Sequence, residues 1–464
     1  MIRNGAGSTT PSSFARLGRR SLTRAFGLNG GSNGQGRHDF QRPQRRDRPP
    51  HHEALRPGAR QETLREANLL LITEEIFAST EALSRADLSI RTGMTRSTVS
   101  RLVDDLLAAG IVCEGSPVVG GTRGRPAVPL TPARRTLVGL GVEVNVDFMA
   151  ARALDLTGAV LAEEIIWADY RSSDPAAVLV EAGRLALRVA DEAARAGART
   201  VGTVLAVPGL VDSDERTLLL APNLGWKDVD LVALLGRASE AGEGDEGFGS
   251  FITAANEAKL AALAVAQELT REEDKEQTFL YVSAQMGIGS AVVVDGVVEA
   301  GPHGWGGEIG HVAVEPNGPE CGCGSTGCLE VYAGKRALMA SAGLPAGVTA
   351  EDLYVLTQCS APESAASTAV EAVERAGWAL GVALSAAMNV LDVHDVVLGG
   401  EFGPLTDLLR PCIEEELQRR VLASPWTQFS VRQRDTGNAP ATTGGALRAL
   451  RAVVDAPQDW IPAA

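Results

Sequence analysis

Three cysteines within eight residues constrain the fold of this chain more than any other feature of its sequence. Cys321, Cys323 and Cys328 lie in the segment CGCGSTGC, whose glycines allow a sharply folded loop. Thiolates spaced this closely are typical of a zinc site, because zinc binds four soft or borderline ligands in a tetrahedron. His311, ten residues upstream, is the natural fourth ligand. We therefore predict a closed, structural Zn²⁺ site, with free reduced thiols on a loop as the alternative.

The cysteines and the apolar segments also indicate the cellular compartment in which the protein functions. The other three cysteines are scattered, and a metal-binding cluster is typical of a reducing environment. The run Arg19-Arg20-Ser21-Leu22 is similar to a twin-arginine export signal, but no apolar region follows it. The longest candidate for a membrane helix, residues 378–391, is interrupted by Gly381, Ser385 and Asn389. We expect a cytoplasmic protein with no membrane partner.

The charge of the chain is distributed unevenly. The formal net charge is −15, which by itself argues against a nucleic-acid partner. Residues 1–60, however, contain 12 Arg against three acidic residues, a net charge of +9, and the remainder carries −24. Residues 1–62 are also rich in Gly, Ser, Asn and Pro, a composition that cannot offset the entropy of ordering the chain. We predict a disordered basic tail over residues 1–62 that adds non-specific contacts to DNA phosphates, with an organellar presequence or a misplaced start as alternatives.

Residues 63–132 have the pattern of a winged helix-turn-helix. A first amphipathic helix is followed by a second that begins at Ser84, where Asp87 completes a capping box. Thr95 caps a third helix, and Gly110 stops it. The apolar stripe of the third helix consists of Val99, Leu102, Val103, Leu106 and Leu107. Two short β-type segments then flank the Gly-rich residues 120–126, which predicts a β-wing.

The surface of this N-terminal unit predicts DNA binding. Hydroxyl and guanidinium groups at the start of the third helix can reach phosphates and base edges in a major groove, and an Arg pair at the wing tip suits the adjacent minor groove. The predicted contacts are Arg96, Ser97, Thr98, Ser100, Arg101, Arg123 and Arg125. A helical unit that serves only in dimerisation is the alternative. We expect a double-stranded DNA operator, bound at the nucleoid by a homodimer or higher homo-oligomer whose half-sites lie about one helical turn apart, or a multiple of that.

From residue 134 onward the chain alternates strands and helices. Strands are predicted at Leu137–Val146, Phe148–Asp155 and Val201–Val207, and a long amphipathic helix at Ala176–Ala196. Such alternation predicts an α/β fold for residues 134–464.

The motifs of this α/β body resemble those of the ROK family, which comprises repressors, open reading frames of unknown role, and sugar kinases. The resemblance covers nearly all of residues 64–455. It rests on Gly307-Glu308-Ile309-Gly310-His311, on the cysteine segment through Glu330, on Val207-Pro208-Gly209-Leu210-Val211, on Pro222-Asn223-Leu224-Gly225-Trp226, on Asn256-Glu257-Ala258 and on Gly444-Gly445-Ala446-Leu447. It implies a two-lobed, actin-like sugar-kinase-like body behind the winged helix, similar to the xylose-type and N-acetylglucosamine-type repressors.

The resemblance also implies a sugar-binding site in the body. The residues to which it assigns this role are Asn256, Glu308, His311 and Glu330. These residue types can form paired hydrogen bonds with adjacent sugar hydroxyls. His311 can serve both predicted sites, because a ring bound to zinc through one nitrogen presents the other N–H as a donor. Gly209 and Asn223 have weaker support as residues of the same cleft.

The sequence departs from the active kinases of the family at two points. Those kinases carry an Asp-x-Gly-Gly-Thr loop that holds ATP phosphates, whereas this chain has GVEVNV at residues 141–146. Where the kinases have a general base, an Asp directly after the Asn, this chain has Glu257, which is one methylene longer. We therefore predict that the chain has no catalytic residues and is not an enzyme. A sugar kinase that phosphorylates a hexose with ATP is the alternative function.

Together these features predict a sugar-responsive, DNA-binding transcriptional regulator. The winged helix would bind an operator, and a sugar or sugar derivative in the cleft would change the spacing of two DNA-binding units. We expect the protein to repress genes of carbohydrate use. A third interpretation is a signalling scaffold that binds a sugar-transport protein.

Overall fold

A computed structural model describes residues 57–116, 128–240, 247–271, 277–345, 347–358, 363–434 and 437–462. Arg123 and Arg125 of the predicted wing tip, and residues 1–56 of the predicted tail, lie outside these ranges. Among the helices within them, none has both the length and the apolar composition that crossing a membrane requires.

The N-terminal unit consists of three helices and a small antiparallel sheet. Its elements are α1 (Pro57–Ala78), β1 (Leu83–Ser84), α2 (Arg85–Thr92), α3 (Arg96–Ala108), β2 (Val112–Glu114) and β3 (Pro129–Pro132). The strand order is β1-β3-β2, and Val112 pairs with Pro132. Helix α1 begins at Pro57, so residues 57–62, which the sequence assigned to the tail, have a helical backbone. The sequence did not predict the two-residue strand β1.

Local capping fixes the boundaries of α2 and α3. The Ser84 hydroxyl accepts a hydrogen bond from the Asp87 amide, and the Asp87 carboxylate accepts one from the Ser84 amide, which confirms the predicted capping box. Thr95 Oγ1 accepts a 3.2 Å hydrogen bond from Thr98 N at the start of α3. Gly110 follows α3 with a φ of 66°, a left-handed conformation that favours glycine. The predicted helix ends are therefore confirmed.

The first lobe of the body is built on a five-stranded mixed sheet. Its elements are β4 (Leu137–Val144), β5 (Phe148–Asp155), β6 (Val160–Trp167), α4 (Pro175–Arg195), β7 (Arg199–Val207), β8 (Leu210–Val211), β9 (Thr217–Ala221), β10 (Trp226–Asp230), α5 (Leu231–Glu240) and β11 (Ile252–Asn256). The sheet order is β11-β7-β4-β5-β6, and β10-β9-β8 form a smaller sheet. Strand β4 is completely buried and lies parallel to β7. The carboxyl ends of β4, β7 and β11 therefore meet at one edge.

The second lobe repeats the five-stranded plan and adds a helical layer. Its elements are α6 (Glu257–Arg271), β12 (Phe279–Ala284), β13 (Ile288–Val294), β14 (Val297–Glu299), α7 (Glu330–Ala333), α8 (Lys335–Ser341), α9 (Ala350–Gln358), α10 (Glu363–Leu391), β15 (Asp395–Gly400), α11 (Thr406–Arg420) and β16 (Ser430–Gln433). The sheet order is β14-β13-β12-β15-β16. Helices α7 to α11 share one apolar core with this sheet.

The last helix, α12 (Pro440–Asp455), returns to the first lobe and packs tightly on β4. A Cβ at Gly141 would collide with the carbonyl oxygen of Thr442, and one at Gly139 with that of Ala446. These two glycines therefore allow the helix and the strand to approach closely. The C-terminal half of α12, including Leu450 and Val453, belongs to the same apolar cluster as the buried residues of α1 and α3. The helix thus joins the body to the N-terminal unit.

Candidate metal centre and ligand pocket

The structure brings His311 and the three predicted cysteine ligands together. One potential ligand atom from each of His311, Cys321, Cys323 and Cys328 lies within 4.8 Å of the others. Cys321 Sγ is 3.9 Å from His311 Nδ1, and Cys323 Sγ is 3.7 Å from Cys328 Sγ. A tetrahedral zinc site with Zn–S bonds of about 2.3 Å places sulfur atoms about 3.8 Å apart. The spacing therefore suits a metal ion of this kind.

Backbone hydrogen bonds shape the loop that carries the cysteines. Cys321 N donates to Ser325 O at 2.8 Å, and Gly327 N donates to Pro319 O at 2.7 Å. Gly327 has a φ of 67°, and a Cβ there would collide with the Glu315 carbonyl. Only glycine fits this position, which explains the glycine directly before Cys328.

Two of the three thiols favour the protonated form in the protein without a metal. Burial, together with the neighbouring cysteines, raises the pKa of Cys328 to about 12. Burial also raises the pKa of Cys321. Thiolates are the form that binds metal, so these thiols must lose protons when a metal ion binds.

A pocket lies between the two lobes, next to the cysteine loop. The first lobe contributes Asn145, Val146, Pro208, Gly209, Ala221, Pro222, Asn223 and Asn256, and the second contributes Glu257, Met286, Gly287, Ile288, Gly289, Glu308, His311, Gly322, Cys323 and Glu330. All four residues that the sequence assigned to a sugar site therefore line one pocket. Because Nδ1 of His311 lies toward Cys321, Nε2 is the ring nitrogen that remains for a ligand.

Glu308 stands at the start of the short 3-10 turn Ile309–His311 and is partly exposed to the pocket. Burial raises its pKa, while the nearby charges of Lys259 and His311 lower it. Lys259 donates to the carbonyl oxygen of Gly304. Lys259 carries no signal of this contact in the sequence, because it approaches Glu308 only through the fold.

Glu330 is held against the turn between β12 and β13. Its Oε2 accepts a 3.3 Å hydrogen bond from Ile288 N. A Cβ at Gly287 would collide with Glu330 Oε2 and lie 2.8 Å from Asn223 Nδ2. Gly287 therefore leaves the space in which these two polar side chains approach each other.

Asn256 has a capping role that the sequence analysis missed. Its Oδ1 accepts hydrogen bonds from Ala258 N at 3.0 Å and Lys259 N at 3.3 Å, so it caps α6. Its Nδ2 donates to Gly209 O at 3.0 Å. Gly209 has a φ of 100°, so Asn256 fixes a turn of the pocket wall that requires glycine. One amide hydrogen of Asn256 remains for a ligand.

Residues 141–146 stand at the position of the kinases' phosphate loop. In this structure Asn145 of that segment belongs to a polar cluster. Asn145 Nδ2 faces Glu143 Oε1 at 3.3 Å and makes closer contacts with Glu257 and Gln285. Val146 N donates back to Asn145 Oδ1 at 2.7 Å. The amide of Asn145 therefore connects β4 of the first lobe to residues that lead into the second.

The two glutamates of this cluster hold their protons more strongly than usual. Burial raises the pKa of Glu143 to about 7, against the opposing effects of Asn145, Arg152 and the first amides of α12. Burial and the nearby carboxyl groups of Glu143 and Asp147 raise the pKa of Glu257 well above its usual range. The cluster can therefore contain neutral carboxyl groups near pH 7.

In the N-terminal unit, the predicted DNA-contacting residues lie along the start of α3. Arg96, Ser97 and Arg101 are exposed, whereas Thr98 and Ser100 are half-buried. Neither arginine forms an ion pair with any residue of the described ranges. Other arginines of this unit are paired: Arg85 lies 2.7 Å from Asp104 and 3.0 Å from Glu114, and Arg65 lies 2.9 Å from Asp105.

Two curated proteins are similar to this chain over most of their length. The "Xylose repressor" of Bacillus spizizenii is 26% identical over 387 residues, which cover 82% of this chain and 95% of the repressor. The "DNA-binding transcriptional dual regulator NagC" of Escherichia coli K12 is 26% identical over 357 residues, which cover 75% of this chain and 84% of NagC.

A solved structure and a family model extend these comparisons. The crystal structure of a ROK family transcriptional regulator, a homolog of the E. coli MLC protein, matches with a TM-score of 0.68 and 24% identity, covering 86% of this chain and 99% of that chain. At this identity the match establishes the fold, and it confirms the predicted two-lobed α/β architecture. The model of the ROK family matches residues 140–452, well over half of the sequence. The chain belongs to the ROK family.

Proposed function

We propose that this protein is a transcriptional repressor that binds an operator through its N-terminal unit and releases it when a sugar binds between the lobes. One observation supports the proposal most directly. The same chain has exposed arginines on α3, which form no ion pair within the described ranges, and a pocket lined by Glu308, His311 and Glu330. The repressors to which the chain is similar support it.

The pocket offers the chemistry that a sugar requires. Carboxylates of Glu308 and Glu330 can each accept hydrogen bonds from adjacent hydroxyls, and Asn256 can donate one. His311 Nε2 is placed to donate to a hydroxyl while Nδ1 faces the cysteines. These four residues are the proposed ligand contacts.

The metal is proposed to be zinc, bound by His311, Cys321, Cys323 and Cys328. Three thiolates and an imidazole at tetrahedral spacing are a typical donor set for structural zinc. When bound, zinc would fix the loop between two ligand-contacting residues, Glu308 and Glu330. It would also fix the tautomer of His311, so that Nε2 carries the donated proton.

The DNA contacts are proposed to come from Arg96, Ser97, Thr98, Ser100 and Arg101 on α3, and from Arg123 and Arg125, which the sequence predicts to lie at a wing tip. A single N-terminal unit of this size contacts only a short stretch of DNA. We therefore propose that a homodimer binds two half-sites. The division of the chain into a basic tail, an N-terminal DNA-binding unit and residues 134–464 is part of the same proposal, with the start of the N-terminal unit moved from residue 63 to Pro57, where α1 begins.

Helix α12 offers a direct route from the pocket to the DNA-binding unit. Its first residues lie next to Glu143 of the polar cluster, and its last half packs against α1 and α3. A ligand that favours one arrangement of the lobes would therefore bias the position of the DNA-binding unit. The bias requires different affinities of the ligand for the two states.

Kinase activity is not part of the proposal. Residues 141–146 stand where the active kinases have their glycine-rich phosphate loop and lack its glycine pair, and the position of the general base is held by Glu257, which Asn145 contacts.

A gel-shift experiment tests the proposal. Purified full-length protein is incubated with its own promoter DNA in the absence and presence of a panel of free sugars. We expect a specific complex that at least one sugar dissociates. No DNA binding under any of these conditions would rule out the proposed function, whereas ATP-dependent sugar phosphorylation would favour the kinase.

A further inference from the structure

The N-terminus of α12 lies against a buried glutamate and has no capping side chain of its own. Ala439, directly before the helix, has no side-chain oxygen and adopts a φ of 51°, which is strained for a residue other than glycine. Pro440, the first residue of the helix, has no amide hydrogen. The next two amides, those of Ala441 and Thr442, face the carboxyl group of Glu143 on β4. This end of the helix is therefore stabilised from another part of the chain.

From this arrangement we infer that Glu143 is a positioning residue, which couples the pocket between the lobes to the DNA-binding unit through α12. This role rests on the proposed function, because it specifies how the pocket controls operator binding. Glu143 is not among the described residues that line the pocket, so it acts on a ligand only through its neighbours.

One oxygen of Glu143 is connected to the pocket. Its Oε1 lies 3.3 Å from Asn145 Nδ2, and the same amide group contacts Glu257 and Gln285. Asn145 and Glu257 both line the pocket. Because Nδ2 has two hydrogens for three acceptors, a ligand that forms a hydrogen bond with Glu257 changes how those hydrogens are shared with Glu143.

The other oxygen of Glu143 faces α12. This Oε2 is buried and accepts no hydrogen bond within the described part of the chain, since the amides of α12 approach it without reaching hydrogen-bond geometry. Arg152, on β5, contacts the same end of the helix. Its guanidinium group donates to Asn438 O at 3.0 Å and contacts the hydroxyl group of Thr443. A change in the charge of Glu143 therefore acts on the positive end of the helix and on Arg152 together.

The packing of α12 carries such a change to the DNA-binding unit. Gly139 and Gly141 leave no space between β4 and the backbone of α12, so the helix moves as a rigid element. Leu450 and Val453, near the other end, belong to the apolar cluster of α1 and α3. A displacement at Glu143 is therefore transmitted to the helices that carry the proposed DNA contacts.

The charge of Glu143 gives this junction two states near neutral pH. Burial raises the pKa of Glu143 to about 7. The other charged groups at the junction are Arg152 of β5, Glu257 of α6, Asp147 after β4, and Glu163 of β6 beside Arg152. The first turn of α12 contributes amides but no ionisable side chain. The described arrangement thus favours the neutral carboxyl group, and a rise in pH favours an arrangement in which the carboxylate is better solvated.

Fluorescence anisotropy with the full-length protein and its own promoter DNA tests the inference at about pH 6 and pH 8, at constant salt. The arrangement without ligand is the proposed operator-binding one, so we expect the operator affinity of the native protein to be about tenfold lower at the higher pH. Glu143→Gln, which cannot ionise, should keep the affinity that it has at the lower pH. Glu143→Asp retains an ionisable group and should show the native decrease.

Glu416→Gln is the matched control. Glu416 is a buried glutamate of α11 in the second lobe, where it pairs with Arg419 and Arg420. This variant should show the same decrease in operator affinity as the native protein. A role of Glu143 in stability alone would change the affinity equally at both pH values.

Hydrogen exchange of the free protein provides a measurement that needs no DNA. After correction for intrinsic exchange, we expect α1, α3 and α12 of the native protein to lose about tenfold protection between the two pH values, relative to α10 of the second lobe. The same helices of Glu143→Gln should lose none.

Two results would overturn the inference. One is a decrease in operator affinity that is parallel in the native protein and in Glu143→Gln. The other is a relative protection of α1, α3 and α12 that does not change with pH in the native protein. A protein that binds no promoter DNA would refute the proposed function, and the exchange measurement would still decide the role of Glu143.

Discussion

The side-chain amide of Asn145 contacts the carboxyl group of Glu257, 112 positions further along the chain. Behind this contact lies Glu143, completely buried on β4. Together they place ionisable groups in the interior, at the junction of the two lobes. The stability of the fold should consequently depend on pH in a way that one substitution can reveal.

Replacing Glu143 by Gln should flatten the pH dependence of stability. The pKa of Glu143 is raised to about 7 in the folded protein from an ordinary value of 4.5. Between these values the folded state retains a proton that the unfolded state has lost, so the free energy of unfolding falls as pH rises from 4.5 to 7. The cost at pH 8 is about 3 kcal/mol, and the pKa of about 7 already includes the opposing effects of Arg152 and the α12 amides.

Thermal unfolding of both proteins between about pH 5 and pH 8 measures this effect. We expect the melting temperature of the native protein to fall more steeply with pH than that of Glu143→Gln. The effect of Glu143 is the difference between the two pH profiles, because Glu257 and Asp147 face the same cluster in both proteins. Parallel pH profiles would show that Glu143 ionises normally.

Removing a cysteine from the cluster should abolish metal binding. Cys328 is completely buried in the cluster, so Cys328→Ser is expected to lose the one zinc ion proposed for each chain and to weaken sugar binding. Elemental analysis and calorimetry measure both. Cys113→Ser, in the N-terminal unit, is the control and should retain the metal. A fully folded, sugar-responsive protein without metal would refute the structural role of the site.

Zinc affinity should increase with pH. The pKa values of Cys321 and Cys328 are raised in the protein without metal, and both thiols must lose a proton to bind. Competition with a chromophoric chelator at about pH 6.5 and pH 8 measures the affinity, and titration in a weakly buffered solution measures the protons released. An affinity that does not change with pH would argue against thiolate ligation.

Adding one methyl group at Gly287 should impair the pocket. A Cβ there would collide with Glu330 Oε2 and crowd Asn223, so Gly287→Ala is expected to lower sugar affinity by about tenfold, or about 1.4 kcal/mol. Gly322→Ala is a matched control, because Gly322 lines the same pocket but a Cβ there would meet no heavy atom within 4 Å beyond its chain neighbours. Equal affinities of the two variants would show that the Glu330 position is unimportant.

Truncating Arg101 should weaken operator binding and reduce its dependence on salt. This exposed side chain on α3 has no ion-pair partner in the described ranges, so its charge is available for DNA. We expect Arg101→Ala to lose about 1–3 kcal/mol of operator affinity, if it contacts a base. Arg91→Ala, on α2 and 3.7 Å from Glu75, is the control. Fluorescence anisotropy at several salt concentrations distinguishes a base contact from a phosphate contact.

The sequence predicted those features whose signals are local. Ser84 and Asp87 are three positions apart, and Cys321 to Cys328 span a single loop, so short-range patterns were sufficient. The joining of Asn145 to Gln285 spans 140 positions and could not be predicted without the fold.

The capping role of Asn256 was not predicted, although its signal is local. An Asn directly before a helix is a common capping residue, and this signal was present in the sequence. The family resemblance assigns the same residue to ligand binding. The structure adds the capping bonds to α6 and the contact with Gly209, so the same side chain has a structural role as well as the proposed contact.

Helix α12 has a consequence for the order in which the protein becomes functional. The N-terminal unit is synthesised before the body, but Leu450 and Val453, which belong to its apolar cluster, are synthesised only after both lobes. An incomplete chain would therefore present α1 and α3 with part of their apolar surface uncovered. Competence to bind an operator would then arise only in chains synthesised through α12, which also contain the pocket proposed to control it.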